Sequence, residues 1–155
     1  MANPRLLRGR ASQAGAHYSI TAVACGRQPV FALDNNAHIV RAELERVAEE
    51  GMVSTIAWVV MPDHLHWLLQ LRQGSLGCCM QRFKSRSARA INLGMGRSGP
   101  LWQGGYYDHC LRSEDDLLAQ ARYLVANPVR KGLVTRIEDY PFWWCRWISA
   151  SIDLT

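Results

Sequence analysis

Apolar and polar positions change period several times along the chain, and each change marks an element. Residues 17–24, HYSITAVA, are a strand candidate, and GRQPVF then breaks the pattern. Residues 35–50 place Ile39, Val40, Leu44 and Val47 at helical spacing, with Gly51 set to end the helix. VSTIAWVVM (53–61) is apolar and β-branched, as a buried strand requires. Pro62 cannot continue an interior ladder, so PDH (62–64) reads as a turn, and HLHWLLQL returns as the partner strand of a hairpin. A second helix spans 75–92, with Leu76, Cys79, Met80, Phe83, Ala90 and Ile91 on one side and Arg82, Arg86 and Arg89 on a neighbouring side. Gly94, Gly96, Gly99 and Pro100 form a loop, and LWQGGYYDHCL (101–111) is extended. The third helix starts at Ser113, where SEDD has the form of a capping box and sets three acids at the positive end of the helix dipole; it ends by Pro128.

The resulting order, β-α-β-β-α-β-α, is an α+β pattern whose first six elements match the ferredoxin-like βαββαβ antiparallel sheet. Two helices then cover one sheet face, and the added C-terminal helix lies near the other. No repeat or linker divides the chain, so residues 1–155 are expected to form one domain, with 1–15 a flexible N-terminus. A hydrophobic share of 48% and a charged share of 20% are those of a soluble globular protein. The apolar runs fall short of a membrane span, and the basic, polar start MANPRLLRGR lacks a secretory h-region, so a cytoplasmic protein is expected. Five cysteines without CxxC spacing indicate neither a disulfide framework nor a zinc finger.

Charge and chemistry change the picture. Lys and Arg total 18 against 13 Asp and Glu, a net +5, which favours polyanionic partners. Residues 82–97 hold five basic residues (Arg82, Lys84, Arg86, Arg89 and Arg97) and no acid, a hint of nucleic acid. In HLHWLLQL, His64, His66, Leu68 and Gln70 share one strand face, while Leu65, Trp67, Leu69 and Leu71 share the packed one. Two adjacent imidazoles can hold one metal ion or stand as ordinary polar residues. On the third helix, Leu117, Leu118, Ala121, Leu124 and Val125 form an apolar stripe, and Tyr123 falls opposite it. Asn127, four residues on, projects from the same side as Tyr123, and Asp116 and Gln120 complete the row. Taken alone, Tyr123 is an exposed or interface tyrosine. A phenol with a pKa of about 10 needs a cation or base beside it to act as a nucleophile. A metal held by His64, His66 and the amide oxygen of Asn127 would lie one helical turn from its ring.

AWVVMPDHLHWLL, then LWQGGYYDHCLRSEDDLLAQARYLVANPVRKGLV, and finally YPFWWCRW resemble, in order and spacing, the REP-associated tyrosine transposases, relatives of the single-tyrosine HUH transposases. The resemblance covers roughly residues 17–147. It implies that His64 and His66 are metal ligands, that Asn127 is the third, and that Tyr123 is the nucleophile. It implies Mg²⁺ or Mn²⁺ and no nucleotide cofactor, although imidazole is also a ligand for later transition metals. The implied reaction is cleavage and rejoining of single-stranded DNA at palindromic hairpins through a 5′-phosphotyrosine. A monomer is expected over a homodimer. Arg82, Lys84, Arg86, Arg89, Arg97, Arg130 and Lys131 are candidates for backbone contacts, and Gln120 and His109 for groups that support the ligands.

Two rival readings remain on sequence: a hairpin-binding protein without turnover, and a hydrolase that uses the histidine pair with water. Tyr106 and Tyr107 are rival nucleophiles on a strand that can face the site. Trp102, Tyr106, Tyr107 and His109 are expected mostly in core packing rather than base stacking. Trp143, Trp144 and Trp147 are expected to seal the domain end. His17 and His38 have no assigned role.

Overall fold

The computed structural model describes residues 12–148; most of the expected flexible N-terminus, residues 1–11, lies outside them. Its described part is tied down. The Gln13 amide donates to the Tyr18 hydroxyl (3.0 Å), the Gly15 amide to the Leu71 carbonyl (2.7 Å), and Ser12 Oγ accepts from the Leu76 amide (3.0 Å).

Strand β1 (His17–Val23) passes through two single-turn 3-10 segments, Cys25–Arg27 and Val30–Ala32, into helix α1 (Asp34–Glu49). Strands β2 (Val53–Met61) and β3 (His64–Leu71) form the expected hairpin. Helix α2 (Leu76–Met95), strand β4 (Tyr107–Leu111) and helix α3 (Glu114–Val125) follow. A short helix α4 (Asn127–Arg130) and a fifth strand β5 (Trp143–Cys145) end the described chain. All pairings are antiparallel, in the order β4-β1-β3-β2-β5. The first four strands have the ferredoxin-like arrangement, with β3 inserted between β1 and β2.

Helices α1 and α2 cover one face. Val40, Leu44 and Val47 of α1 and Leu76, Met80, Phe83 and Ile91 of α2 pack on Ile20, Trp58, Leu65, Trp67 and Leu69. The other face carries a smaller core, where Leu117, Ala121, Leu124 and Val125 of α3 pack on Val59, Met61, Leu68 and Cys145. Leu118 is 36% exposed and lies off the stripe assigned to it. Ser113 caps α3 as its sequence indicates, its hydroxyl accepting from the Asp116 amide at 3.1 Å.

Three boundaries differ from expectation. Helix α2 runs through Gly94 to Met95 and stops where Gly96 adopts φ +62°, the left-handed conformation that ends helices. Only residues 107–111 of the extended stretch form a strand; Trp102 is instead a core residue bridging to Ala24. The tryptophan-rich end was expected to seal the domain, but only Trp143 packs against the smaller core, and Trp144 and Trp147 stay exposed. Trp143, Trp144 and Cys145 pair with Val59, Trp58 and Ala57, extending the sheet beyond β2.

Candidate active site

The β1–β3 register places Thr21 opposite His66 and Val23 opposite His64, and the β2–β3 register places Val59 and Met61 opposite them on the far side. Residues opposite one another in a sheet share a face. The two imidazoles therefore project from the face that α3 partly covers. Their Nε2 atoms lie 3.2 Å apart and each Nδ1 is held from behind. His64 Nδ1 donates to Asp63 Oδ1 at 2.6 Å, since a carboxylate only accepts. His66 Nδ1 lies 3.0 Å from Thr21 Oγ1. A hydroxyl can donate or accept, so Thr21 serves either tautomer of His66. Asp63 is itself anchored: its Oδ2 takes a 3.3 Å ion pair from Arg27, and its carbonyl accepts from the Ala24 amide at 2.9 Å. Burial pushes the Asp63 carboxyl up, but the hydrogen bond and charge of His64, with those of Arg27, outweigh it and hold it below its ordinary value.

This geometry fits a metal ion. Two nitrogens bound at about 2.1 Å to one ion lie about 3.0–3.4 Å apart in octahedral to tetrahedral sites, and the observed separation falls in that interval. Fixing Nδ1 by a carboxylate or hydroxyl is the usual way of aiming Nε2 at a metal. Burial first, then the charges of His64, Arg130 and Lys131, push His66 down to about 4, so its ring is neutral near pH 7. Among the described residues no third His, Cys, Asp or Glu completes a metal-binding group. An amide oxygen is a donor of another kind that could serve as a third ligand.

The turn between α3 and α4 supplies the remaining candidates. Ala126 breaks the helix, and Pro128 occupies the first turn of α4, where its missing N–H costs nothing. Asn127 is 2% exposed; its Oδ1 accepts from Arg130 at 3.0 Å, and its Nδ2 is buried without a hydrogen-bond partner. Tyr123 is 61% exposed, and the Arg130 guanidinium lies over its ring, 3.7 Å from the centroid. Leu124 and Val125, at the end of α3, pack in the smaller core with Val59 and Met61, the cross-strand neighbours of His66 and His64, which sets this turn on the histidine side of the sheet. Gln120 docks α3 on the sheet by donating from Nε2 to Ser19 Oγ at 3.1 Å; Ser19 is on the same face of β1 as Thr21.

The basic candidates divide. Arg82, Lys84, Arg86 and Arg89 all belong to α2, which packs on the opposite sheet face from the histidines. Lys84 Nζ is directed inward, donating at 2.7 Å to the carbonyls of both Gln103 and Gly105. Arg86 forms a two-pronged pair with Glu50 at 2.6 and 2.9 Å, and Arg82 lies 3.9 Å from the same carboxylate. Arg97 makes a 3.5 Å contact with the Pro100 carbonyl. Tyr106, just before β4, packs against the larger core, whereas Tyr107 and His109 on β4 are exposed and pair with Thr21 and Ser19. They share the histidine face, where core packing had been expected. Asp63 and Thr21 escaped the sequence reading. Asp63 passes for a turn residue, and Thr21 reaches His66 only through strand register.

A sheet of this topology, with a paired HxH motif facing a tyrosine-bearing helix, defines a class that comparison with known proteins identifies. Residues 12–125 match the family described as Transposase IS200 like, and the chain belongs to that family. It is 26% identical over 112 residues to the REP-associated tyrosine transposase of Escherichia coli (strain K12), covering 71% of this chain and 65% of that protein. A Haemophilus influenzae (strain ATCC 51907 / DSM 11121 / KW20 / Rd) protein named for the same transposase type is 26% identical over 113 residues, covering 66% and 64%. The matched region thus spans just under two thirds of the length of these curated relatives. A solved REP-associated tyrosine transposase bound to a REP hairpin superposes with a TM-score of 0.74 at 23% identity, covering 92% of this chain and 82% of that one, which shows a common fold.

Proposed function

We propose that this protein is a tyrosine transposase that cleaves and rejoins single-stranded DNA at palindromic hairpins. The observation that carries the reading is the convergence of the two histidine Nε2 atoms, 3.2 Å apart, on the sheet face against which the Tyr123-bearing helix α3 packs. Membership of the family and the hairpin bound to the structural relative support the substrate class.

In this reading the Tyr123 hydroxyl oxygen attacks a phosphodiester. A phosphorus–tyrosine oxygen bond forms, the bond to the 3′ oxygen breaks, and the 3′ oxygen leaves with a proton while the phenol gives one up. The phosphotyrosine retains the bond energy, so attack by a 3′-hydroxyl reverses the step without a nucleotide cofactor. His64, His66 and the Asn127 oxygen would hold Mg²⁺ or Mn²⁺, which would polarise the phosphate and stabilise the leaving oxygen. Asp63 and Thr21 aim the two rings, and Gln120 ties α3 to β1. Lys131 and Arg97 are the preferred cations for DNA, and the protein acts as a monomer in the cytoplasm. Among the described residues no helix is long and apolar enough to cross a membrane.

Covalent capture tests this reading. The parent and Tyr123→Phe are mixed with a labelled library of single-stranded hairpins bearing randomised flanks, with Mn²⁺ or with chelator. An SDS-resistant adduct on the parent with Mn²⁺ only is the expected result. Hairpin retention in a native gel without an adduct would favour a binding protein. Cleavage that survives Tyr123→Phe would point to a hydrolase that uses water.

A further inference from the structure

We propose that Arg130 is a positioning residue, which locks the Tyr123 ring and the Asn127 amide into one working geometry. The inference rests on the proposed nucleophile and ligand roles and assigns to Arg130 a task other than contact with DNA. One guanidinium makes three contacts across the junction of α3 and α4. It stacks on the Tyr123 ring at 3.7 Å, donates from one Nη to the Tyr123 carbonyl, and donates from the other to Asn127 Oδ1 at 3.0 Å. Its own amide donates to the Ala126 carbonyl at 3.0 Å, so the side chain is carried by the backbone turn that it braces.

The Asn127 amide depends on this contact for its orientation. Its nitrogen is buried without a partner, and Arg130 is the group that holds its oxygen. A half-turn of the amide would exchange oxygen for nitrogen, and an amide nitrogen bears hydrogens and does not ligate a metal. An amide oxygen has two lone pairs. Arg130 engages one and leaves the other to face a ligand. The Tyr123 ring, 61% exposed, would otherwise be free to sample several rotamers on an open helix face. A planar cation over one side selects the one that also suits Asn127. Lysine cannot replace this arrangement, because a point charge lacks both the flat face and the fork of donors.

The experiment compares the parent with Arg130→Lys and Arg130→Met. Arg130 is exposed, so both variants are expected to unfold near the parent temperature. Mn²⁺ alone is titrated by calorimetry, hairpin binding is followed in native gels across a salt series, and adduct formation is timed in single turnover. Side-chain NMR of Asn127 and Tyr123 is recorded without metal or DNA. Both variants are expected to lose Mn²⁺ affinity and adduct rate by about 10-fold or more. Hairpin affinity stays within about 3-fold, and both side-chain signals move. Restoration of the adduct rate by lysine would overturn the proposal. So would unchanged Mn²⁺ affinity combined with weaker hairpin binding and a salt slope reduced by about one, the signature of a phosphate contact. If the parent takes up no Mn²⁺ and forms no adduct, the transposase reading fails. The NMR signals then decide on Arg130 alone: shifts in both variants support positioning, and unchanged signals overturn it.

Discussion

Thr21 does for His66 what Asp63 does for His64, but with a group that can reverse its hydrogen bond. When His64 is neutral and donates from Nδ1 to Asp63, its Nε2 is an acceptor, and the 3.2 Å contact is satisfied when His66 Nε2–H donates to it. Thr21 then donates to His66 Nδ1. A metal would need the His66 Nε2 lone pair, so the ring would change tautomer and Nδ1–H would donate to the same hydroxyl. Thr21→Val removes this adaptor at nearly constant volume. Mn²⁺ affinity measured by calorimetry is expected to fall by about 10-fold, with a small change in melting temperature. An unchanged affinity would mean that the hydroxyl merely fills space. The pair itself was legible in the sequence, because residues two apart on a strand share a face. Its supports were not: Thr21 lies 45 positions from His66 and meets it only through strand register.

Helix α3 packs over β2 and β3, and the hydrogen bond from Gln120 to Ser19 ties its near side to β1. Gln120→Leu is expected to slow adduct formation by about 10-fold or more, since small misplacements of reacting groups are costly, with hairpin retention in native gels unchanged. Equal losses in both would make Gln120 a DNA contact instead. Lys84 joins another pair of elements, α2 and the loop before β4. Burial pushes its ammonium down to about 8 despite two carbonyl acceptors. Between that value and its ordinary 10.5, the unfolded chain binds a proton that the folded chain has released, so folding gains stability as pH rises through the window. The melting temperature of the parent should therefore rise relative to that of Lys84→Met from pH 7.5 to 10. A constant gap would mean that the carbonyls keep Lys84 charged throughout. Long periodic elements such as α1, α2 and the β2–β3 hairpin were readable because their burial pattern is local. Strand β5 was not: three residues, WWC, offer no period to read, and their place comes from pairing with β2. Helix α4 was hidden because Pro128 reads as a stop, although proline also starts helices.

The whole molecule presents two unequal faces, and sequence spacing could not say which set of cations belongs with which. The run from Arg82 to Arg97 is the most basic segment of the chain, yet α2 sets its helical part behind the sheet, with Arg86 paired to Glu50 and Lys84 turned inward. The histidine side has a separate set of cations. Lys131 belongs to the turn whose charge reaches His66, and exposed Tyr107 lies in the same cross-strand row as His66, two strands away, or about 10 Å. If DNA is cut at the histidines, affinity should follow that set. Lys131→Glu is expected to weaken hairpin binding by about 10-fold at moderate salt and to lower the salt slope by one or slightly more, since a phosphate contact is both lost and opposed. Arg89→Glu, an equal change of net charge on an exposed position of α2, should stay within about 2-fold if long-range attraction is screened at that ionic strength. Measuring both at two salt concentrations separates the local from the global effect. Equal weakening that fades together at high salt would mean that net charge alone draws the hairpin in. A larger loss for Arg89→Glu would place the DNA across α2 and require the hairpin stem to wrap around the sheet edge to reach Tyr123.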